Sequence, residues 1–108
     1  MNPFTENVIY IIKQIPAGKV MTYGQIAKSA SNPRAARQVA RILHSMSSKH
    51  NLPWHRVINA KGQIAIKDNE TWMEQKLRLE DEGVEVSRTG YIDLETYQHP
   101  IISNIKKM

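Results

Sequence analysis

The 108-residue chain contains no cysteine. That absence excludes disulfides, thiolate metal sites and a thiol nucleophile together. No apolar run approaches the ~20 residues of a membrane-spanning helix, so no membrane association is expected. Residues 1–15 lack a basic n-region and a small-residue cleavage site, so no secretion signal is expected, and the simplest location is inside the cell. There is no internal repeat, low-complexity tract or linker, and the length fits one domain over residues 1–108 with a modest core.

What the chain does have is a globular share of apolar residues, 41%, and a formal net charge of +5. The first argues against disorder. The second suggests a polyanionic partner.

Taken in order, Asn2-Pro3 opens a helix with Asn as cap and Pro at the first helical position. Phe4, Val8, Ile11, Ile12 and Ile15 mark its buried face, and Pro16 and Gly18 end it. Lys19-Val20-Met21 is a short extended link. Thr22 followed by Gln25 has the capping-box pattern and opens a helix through about Ala30, with Ile26, Ala27 and Ala30 inward. Asn32-Pro33 combines a turn with a new helix start, and the spacing predicts a third helix over 33–46. On that helix Ala36, Val39, Ala40 and Leu43 fall on one side. Arg34, Arg37, Arg41 and His44 fall on the other with no acid among them. A short helix, a turn and a second helix with a basic outer face form a helix-turn-helix pattern. The same pattern also fits a solvated amphipathic helix, although solvated faces usually mix both signs.

Residues 47–52 read as a polar connection into Pro53-Trp54-His55-Arg56-Val57. Pro53 favours extended geometry around itself, and Val57-Ile58 favour a short strand. Trp54 and His55 are therefore expected where a rigid turn enters a strand, as a core anchor and a satisfied turn histidine or as parts of a site. Residues 56–58 and 63–66 read as a β-hairpin around Asn59 to Gly62, giving a winged arrangement in which Lys61 and Lys67 either reach phosphates or serve as solubilising edge lysines. Thr71 and Glu74 form a second capping box, opening a helix through Glu82 that Gly83 stops, with Trp72, Met73, Leu77 and Leu79 on its apolar side. The pattern weakens over 87–108, and residues 105–108 are expected to fray.

Three stretches together carry a resemblance. They are Ile15-Pro16-Ala17-Gly18-Lys19-Val20-Met21-Thr22-Tyr23-Gly24-Gln25-Ile26-Ala27, Asn32-Pro33-Arg34-Ala35-Ala36-Arg37-Gln38-Val39 and Pro53-Trp54-His55-Arg56-Val57-Ile58, followed by Gly62 and Glu82-Gly83. Over about residues 4–86 they resemble the DNA-binding domain of O6-alkylguanine-DNA alkyltransferases. Those enzymes carry Pro-Cys-His-Arg-Val, and the cysteine takes the alkyl group. Trp54 stands at that position, as in the alkyltransferase-like proteins, which bind O6-alkylguanine without repairing it and hand it to nucleotide excision repair. The implied fold is mainly α with a short β-hairpin, a winged helix-turn-helix-like DNA-binding domain of the alkyltransferase type.

The chemistry agrees. Alkyl transfer needs a soft nucleophile, whereas an indole nitrogen is only a donor, so the transferase reaction is expected to be absent. The resemblance implies further roles, residue by residue. Trp54, Tyr23, Val57 (through its backbone carbonyl) and Lys67 line a lesion pocket. Arg37 enters the duplex and fills the space left by the extruded nucleotide. Thr22, Arg34, Arg41 and Lys61 contact the DNA backbone. His55, Arg56 and Glu82, without a thiol to serve, keep a structural hydrogen-bond network. The expected partners are duplex DNA containing O6-alkylguanine and nucleotide excision repair proteins. No cofactor and no metal are implied. No heptad or apolar dimer face is evident, so a monomer is expected. Location would be cytoplasmic, with the nucleoid, in a bacterium and nuclear in a eukaryote.

Three departures from the transferase pattern stand out. Ile66-Lys67-Asp68-Asn69-Glu70 replaces a Gly-Tyr-x-Gly-Gly-like stretch, Met46-Ser47 replaces an Asn-Pro pair, and Glu82 lies one residue beyond its gapless match. A winged helix-turn-helix transcription regulator is the alternative, and it would bring major-groove contacts and dimerisation. A hydrolase in which His55 and Glu82 activate water is a third possibility, which would show turnover.

Overall fold

The computed structural model describes residues 2–100. Helix α1 (Pro3–Lys13) starts as the sequence predicts, with Asn2 Oδ1 accepting from Thr5 N at 2.8 Å. It buries Val8, Ile9, Ile11 and Ile12. Strand β1 (Met21–Thr22) runs directly into α2 (Tyr23–Ser29). The capping box between them is complete: Thr22 Oγ1 accepts from Gln25 N and Thr22 N donates to Gln25 Oε1.

The next helix, α3, spans Ala36–His50 rather than 33–46. At its start Ala35 N donates to Asn32 O at 3.1 Å, so Asn32 to Ala35 close a turn, and the helix begins without a side-chain cap. At its end, Ser47, Ser48, Lys49 and His50 contain nothing that breaks a helix. The predicted polar connection is therefore a further helical turn. It stops at Asn51, whose φ of 53° is left-handed, a conformation asparagine tolerates better than most residues.

A single turn of 3-10 helix, Trp54–Arg56, leads into β2 (Val57–Ile58). This strand pairs with β1 in parallel, Met21 opposite Val57 and Thr22 opposite Ile58. The predicted turn over 59–62 is present, with Gly62 N donating to Asn59 O at 3.0 Å and Gly62 at φ 79°. The predicted hairpin partner is not. Past the turn the chain leaves β2, whose two residues pair with β1. Ile64 N donates to Gly90 O at 3.0 Å and Ile92 N to Gly62 O at 2.7 Å.

Helix α4 (Asn69–Asp81) is capped by Asp68 and not by Thr71. Both the amide and the hydroxyl of Thr71 donate to Asp68 Oδ2, at 2.9 and 2.7 Å. A carboxylate beside the positive end of a helix is the stronger cap. Gly83 ends the helix at φ 90° as predicted. The predicted apolar side is displaced. Leu79 is buried and Trp72 half-buried, but Met73 and Leu77 are 47% and 56% exposed, and the second buried residue of the helix is Gln75.

Residues 87–99, weakly patterned in sequence, are part of the packed body. Ile92 is buried, α5 spans Leu94–Tyr97, and Val20 N donates to Tyr97 O while His99 N donates to Val20 O. Residues 105–108, expected to fray, lie outside the described residues.

Two apolar clusters result. One gathers Val8, Ile11, Ile12, Ile26, Val39 and Leu43 from α1 to α3. The other gathers Val20, Ile58, Ile64, Leu79, Val84 and Ile92. The small sheet joins them, because successive strand residues point to opposite faces. Met21 and Val57 face the first cluster, whereas Val20 and Ile58 face the second.

Gly62 tests this account of the turn. A Cβ there would lie 2.7 Å from Ile92 O, a backbone atom, at a positive φ. Gly62→Ala is expected to lower unfolding stability by about 1–3 kcal/mol, measured by urea denaturation. An unchanged midpoint would remove the close approach of the two segments.

Candidate nucleic-acid interface

Helix α3 turns Val39, Ile42 and Leu43 into the first cluster and leaves Arg37, Arg41 and His44 exposed, with Arg34 exposed just before it. The basic face is where the sequence puts it. Ala40 is not on the inner side as predicted; it is exposed. At positions 37, 40, 41 and 44, the steps of three and four residues form one helical stripe. Ala40 is thus a small residue set among the cationic ones.

Beside this stripe lies a cleft of about 330 Å³. Ala40, Leu43, His44 and Ser47 of α3 form one wall, Tyr23 of α2 and Trp54 of the 3-10 turn form the next, and Ile66 and Thr71 close it. Two larger concavities, of about 740 and 480 Å³, lie along residues 80–97 and beside Thr22 and His99. Neither brings Trp54 together with α3, so the smaller cleft is the candidate site.

Trp54 is held on several sides. The Arg78 guanidinium carbon lies 5.7 Å from its ring centre, within cation–π range. Glu74 fixes Arg78 in turn at 2.9 Å. The His55 ring stands edge-on to the indole at 6.2 Å between centroids. Tyr23 is half-buried, and burial raises its pKa above the usual value of 10.0, so the phenol stays a hydrogen-bond donor.

Behind the turn the Glu82 carboxylate collects four donors. Arg56 Nη2 reaches Oε2 at 2.6 Å and Arg56 Nε reaches Oε1 at 3.0 Å. His55 Nε2 reaches Oε2 at 2.8 Å and Gly18 N reaches Oε1 at 3.1 Å. Arg56 Nη1 also donates to Ile15 O at 2.9 Å. Desolvation, the largest single influence, pushes the Glu82 pKa up; the hydrogen bonds from Arg56, His55 and Gly18 outweigh it and hold the pKa at about 2, against an ordinary 4.5. Burial lowers the His55 pKa below 6.5 against the pull of Glu82. A neutral imidazole that donates through Nε2 keeps its bare nitrogen at Nδ1, and Nδ1 is buried with no partner among the described residues.

The remaining residues singled out in the sequence are placed as follows. Thr22 is buried at 6% exposure and caps α2, with its hydroxyl hydrogen still available to donate. The Val57 side chain is buried, and its carbonyl accepts from Gln75 Nε2. Lys67 is exposed beside the cleft, which is lined by Ile66 and Thr71 on either side of it in sequence. Lys61 is exposed on the turn after β2. Sequence reasoning missed Gln75, Arg78, Ile66 and Thr71. Charge is also strongly segregated: nine of the ten acidic residues lie from Asp68 onward, and ten of the fifteen Lys and Arg lie before it. Among the described residues, no three His, Asp or Glu side chains gather as a metal site.

Over residues 3–84 the chain matches the family described as 6-O-methylguanine DNA methyltransferase, DNA binding domain. The chain belongs to this family. Its relatives there include the DNA base-flipping protein of Vibrio parahaemolyticus, 45% identical over 98 residues, 91% of this chain and 97% of that protein. Alkyltransferase-like protein 1 of Schizosaccharomyces pombe is 42% identical over 83% of this chain and 84% of its own length. A crystal structure of S. pombe Atl1 in complex with damaged DNA containing O6-carboxymethylguanine superposes with a TM-score of 0.81 at 40% identity, covering 93% of this chain and 98% of that one. The O6-methylguanine methyltransferase of Mycobacterium tuberculosis superposes at 0.60 with 28% identity, covering 88% of this chain and 55% of that one. The mainly helical fold with its two-strand sheet is thus the family's fold.

The depressed Glu82 pKa has a pH signature. Its stabilisation is complete above the unfolded value of 4.5 and is lost as pH falls towards about 2. Over that window the wild-type protein should lose about 3 kcal/mol. Glu82→Gln, already less stable at pH 7, should show a much flatter pH profile from denaturant midpoints. Parallel profiles would sink the assigned role of the carboxylate.

Proposed function

We propose that this protein is a non-enzymatic sensor of O6-alkylguanine in duplex DNA. The observation that carries the proposal is Trp54 in the wall of a cleft beside the cationic stripe of α3, in a chain with no cysteine. At that wall an indole has no lone pair with which to displace an alkyl group. It offers an apolar surface to the alkyl group and an aromatic face to the base. Two relatives lend support: one is named for base flipping, and another is solved on DNA containing O6-carboxymethylguanine.

The guanine O6 edge is buried in base pairing, so the nucleotide must leave the stack, at a cost of a few kcal/mol. O6-alkylation weakens pairing and lowers that cost. Helix α3 docks in the minor groove, whose pattern discriminates sequence poorly, which suits a lesion found in any context. Arg37 enters the duplex and takes the vacated place, stacking and hydrogen-bonding through its planar guanidinium. Tyr23 crowds the target phosphate and promotes its rotation. Trp54 receives the base, the Val57 carbonyl meets its exocyclic amine, and Lys67 faces the adduct from the rim. Arg34, Arg41, Lys61 and the Thr22 hydroxyl hold phosphates, while His55, Arg56 and Glu82 keep the turn in place. The protein acts as a monomer, and the complex marks the lesion for nucleotide excision repair.

The first test is binding to two duplexes identical except for one O6-methylguanine, followed by digestion and counting of the modified base. Tighter binding to the lesion with the methyl group retained is the expected result. Equal binding leaves a plain DNA-binding module, and loss of the methyl group would mean a catalyst. A second test separates the arginines. Arg37→Ala should weaken lesion binding about tenfold or more. Arg41→Ala should weaken both duplexes alike and reduce the salt slope by about one. Matching behaviour would reduce Arg37 to one more phosphate contact.

A further inference from the structure

Gln75 lies in the middle of α4 at 1% exposure, a kind of position where helices usually place an aliphatic side chain. Its Nε2 donates to two backbone carbonyls, His55 O and Val57 O, each at 3.0 Å. Only the NH2 end of a carboxamide can serve two carbonyls, so the acceptors themselves fix its orientation. Oε1 is thereby left buried, with no partner among the described residues. An unsatisfied buried carbonyl is unfavourable, and the gain that offsets it is the pair of bonds to the turn.

The turn needs those bonds. Its own amides hold its first two carbonyls: Arg56 N donates to Pro53 O at 3.0 Å, and Val57 N donates to Trp54 O. Gln75 holds the carbonyl of His55 and that of Val57. The neighbouring positions on α4 work on the same object. Thr71, four residues earlier, lines the cleft, and Arg78, three residues later, covers the indole of Trp54. Positions 71, 75 and 78 form one helical stripe, turned towards the lesion cleft.

We propose that Gln75 is a positioning residue for lesion recognition, setting the direction of the Val57 carbonyl and the pose of Trp54 that an extruded base meets. A carbonyl oxygen has two lone pairs; Gln75 takes one and fixes where the other points. The inference rests on the lesion-sensor reading given above.

The test uses a Trp72→Phe background, so that Trp54 is the sole tryptophan emitter, since the chain has two. Gln75→Met keeps the length and apolar stem of the side chain and removes both donors. Preference for the O6-methylguanine duplex over the undamaged one should fall about tenfold with undamaged affinity nearly unchanged, and Trp54 emission should shift. Leu79→Ala, one turn further along the same helix, is the structural control; it should lower the melting temperature and leave preference and emission as they were. Retention of both preference and emission in Gln75→Met overturns the inference, as does an equal loss of preference in Leu79→Ala. Where Gln75→Met does not fold, the wild-type protein decides by NMR. The Gln75 side-chain amide signals should move on adding lesion duplex but not undamaged duplex, and identical movement with both overturns the inference. A wild-type protein without lesion preference removes the sensor reading itself, an outcome distinct from failure of Gln75 alone.

Discussion

One carboxylate holds the Trp54–Arg56 turn to the rest of the molecule. Glu82 closes α4, yet its donors come from the loop after α1 and from the turn before β2. Arg56 extends the link to Ile15 O. Three segments far apart in sequence are thereby fixed to one anion. A carboxylate this enclosed is unfavourable by itself. It is tolerated because the fork of Arg56, an imidazole and a backbone amide saturate it. The position of Trp54 follows from that arrangement, since its two following residues are both donors to Glu82.

The two-residue sheet performs the same joining in the apolar interior. With Val57 facing one cluster and Ile58 the other, the helix-turn-helix and the α4 body cannot shift independently without exposing one of these residues. Trp54 and Tyr23 pack against the first cluster, while α4 reaches the turn from the second. The cleft is thus built where the two halves meet. For the base-receiving role proposed above such rigidity is an advantage, because ordering side chains during binding would subtract from affinity.

Much of this was legible in local signals. The Asn2 cap, the Thr22–Gln25 capping box, the cationic stripe of α3 and the Gly83 stop each depend on residues within one or two turns, and each formed as read. What was not legible involved competition or distance. Asp68 and Thr71 are both residue types that cap helices and stand three residues apart, and electrostatics at the helix end favours Asp68. The partner of β2 is β1, more than thirty residues earlier, so the nearby 63–66 segment was the wrong choice. The pull of Pro33 towards a helix start lost to the turn closed on Asn32 O. Ala40 carries no polarity to reveal its face, yet its spacing from Arg37, Arg41 and His44 would have. Gln75 gave no signal at all, because its partners are backbone carbonyls.

The segregation of charge along the chain makes the surface of the molecule electrically uneven. Exposed Arg34, Arg37 and Arg41 lie on or just before α3, and exposed Glu70, Glu74, Glu80 and Asp81 lie on α4. In the field of a duplex such a body feels a torque as well as a pull. Within about a Debye length, ~8 Å at physiological salt, it is turned before it touches. On the sensor reading proposed above, encounters would begin with the cationic stripe of α3 turned towards the DNA, and a molecule scanning for a rare damaged base would lose little time to collisions made backwards.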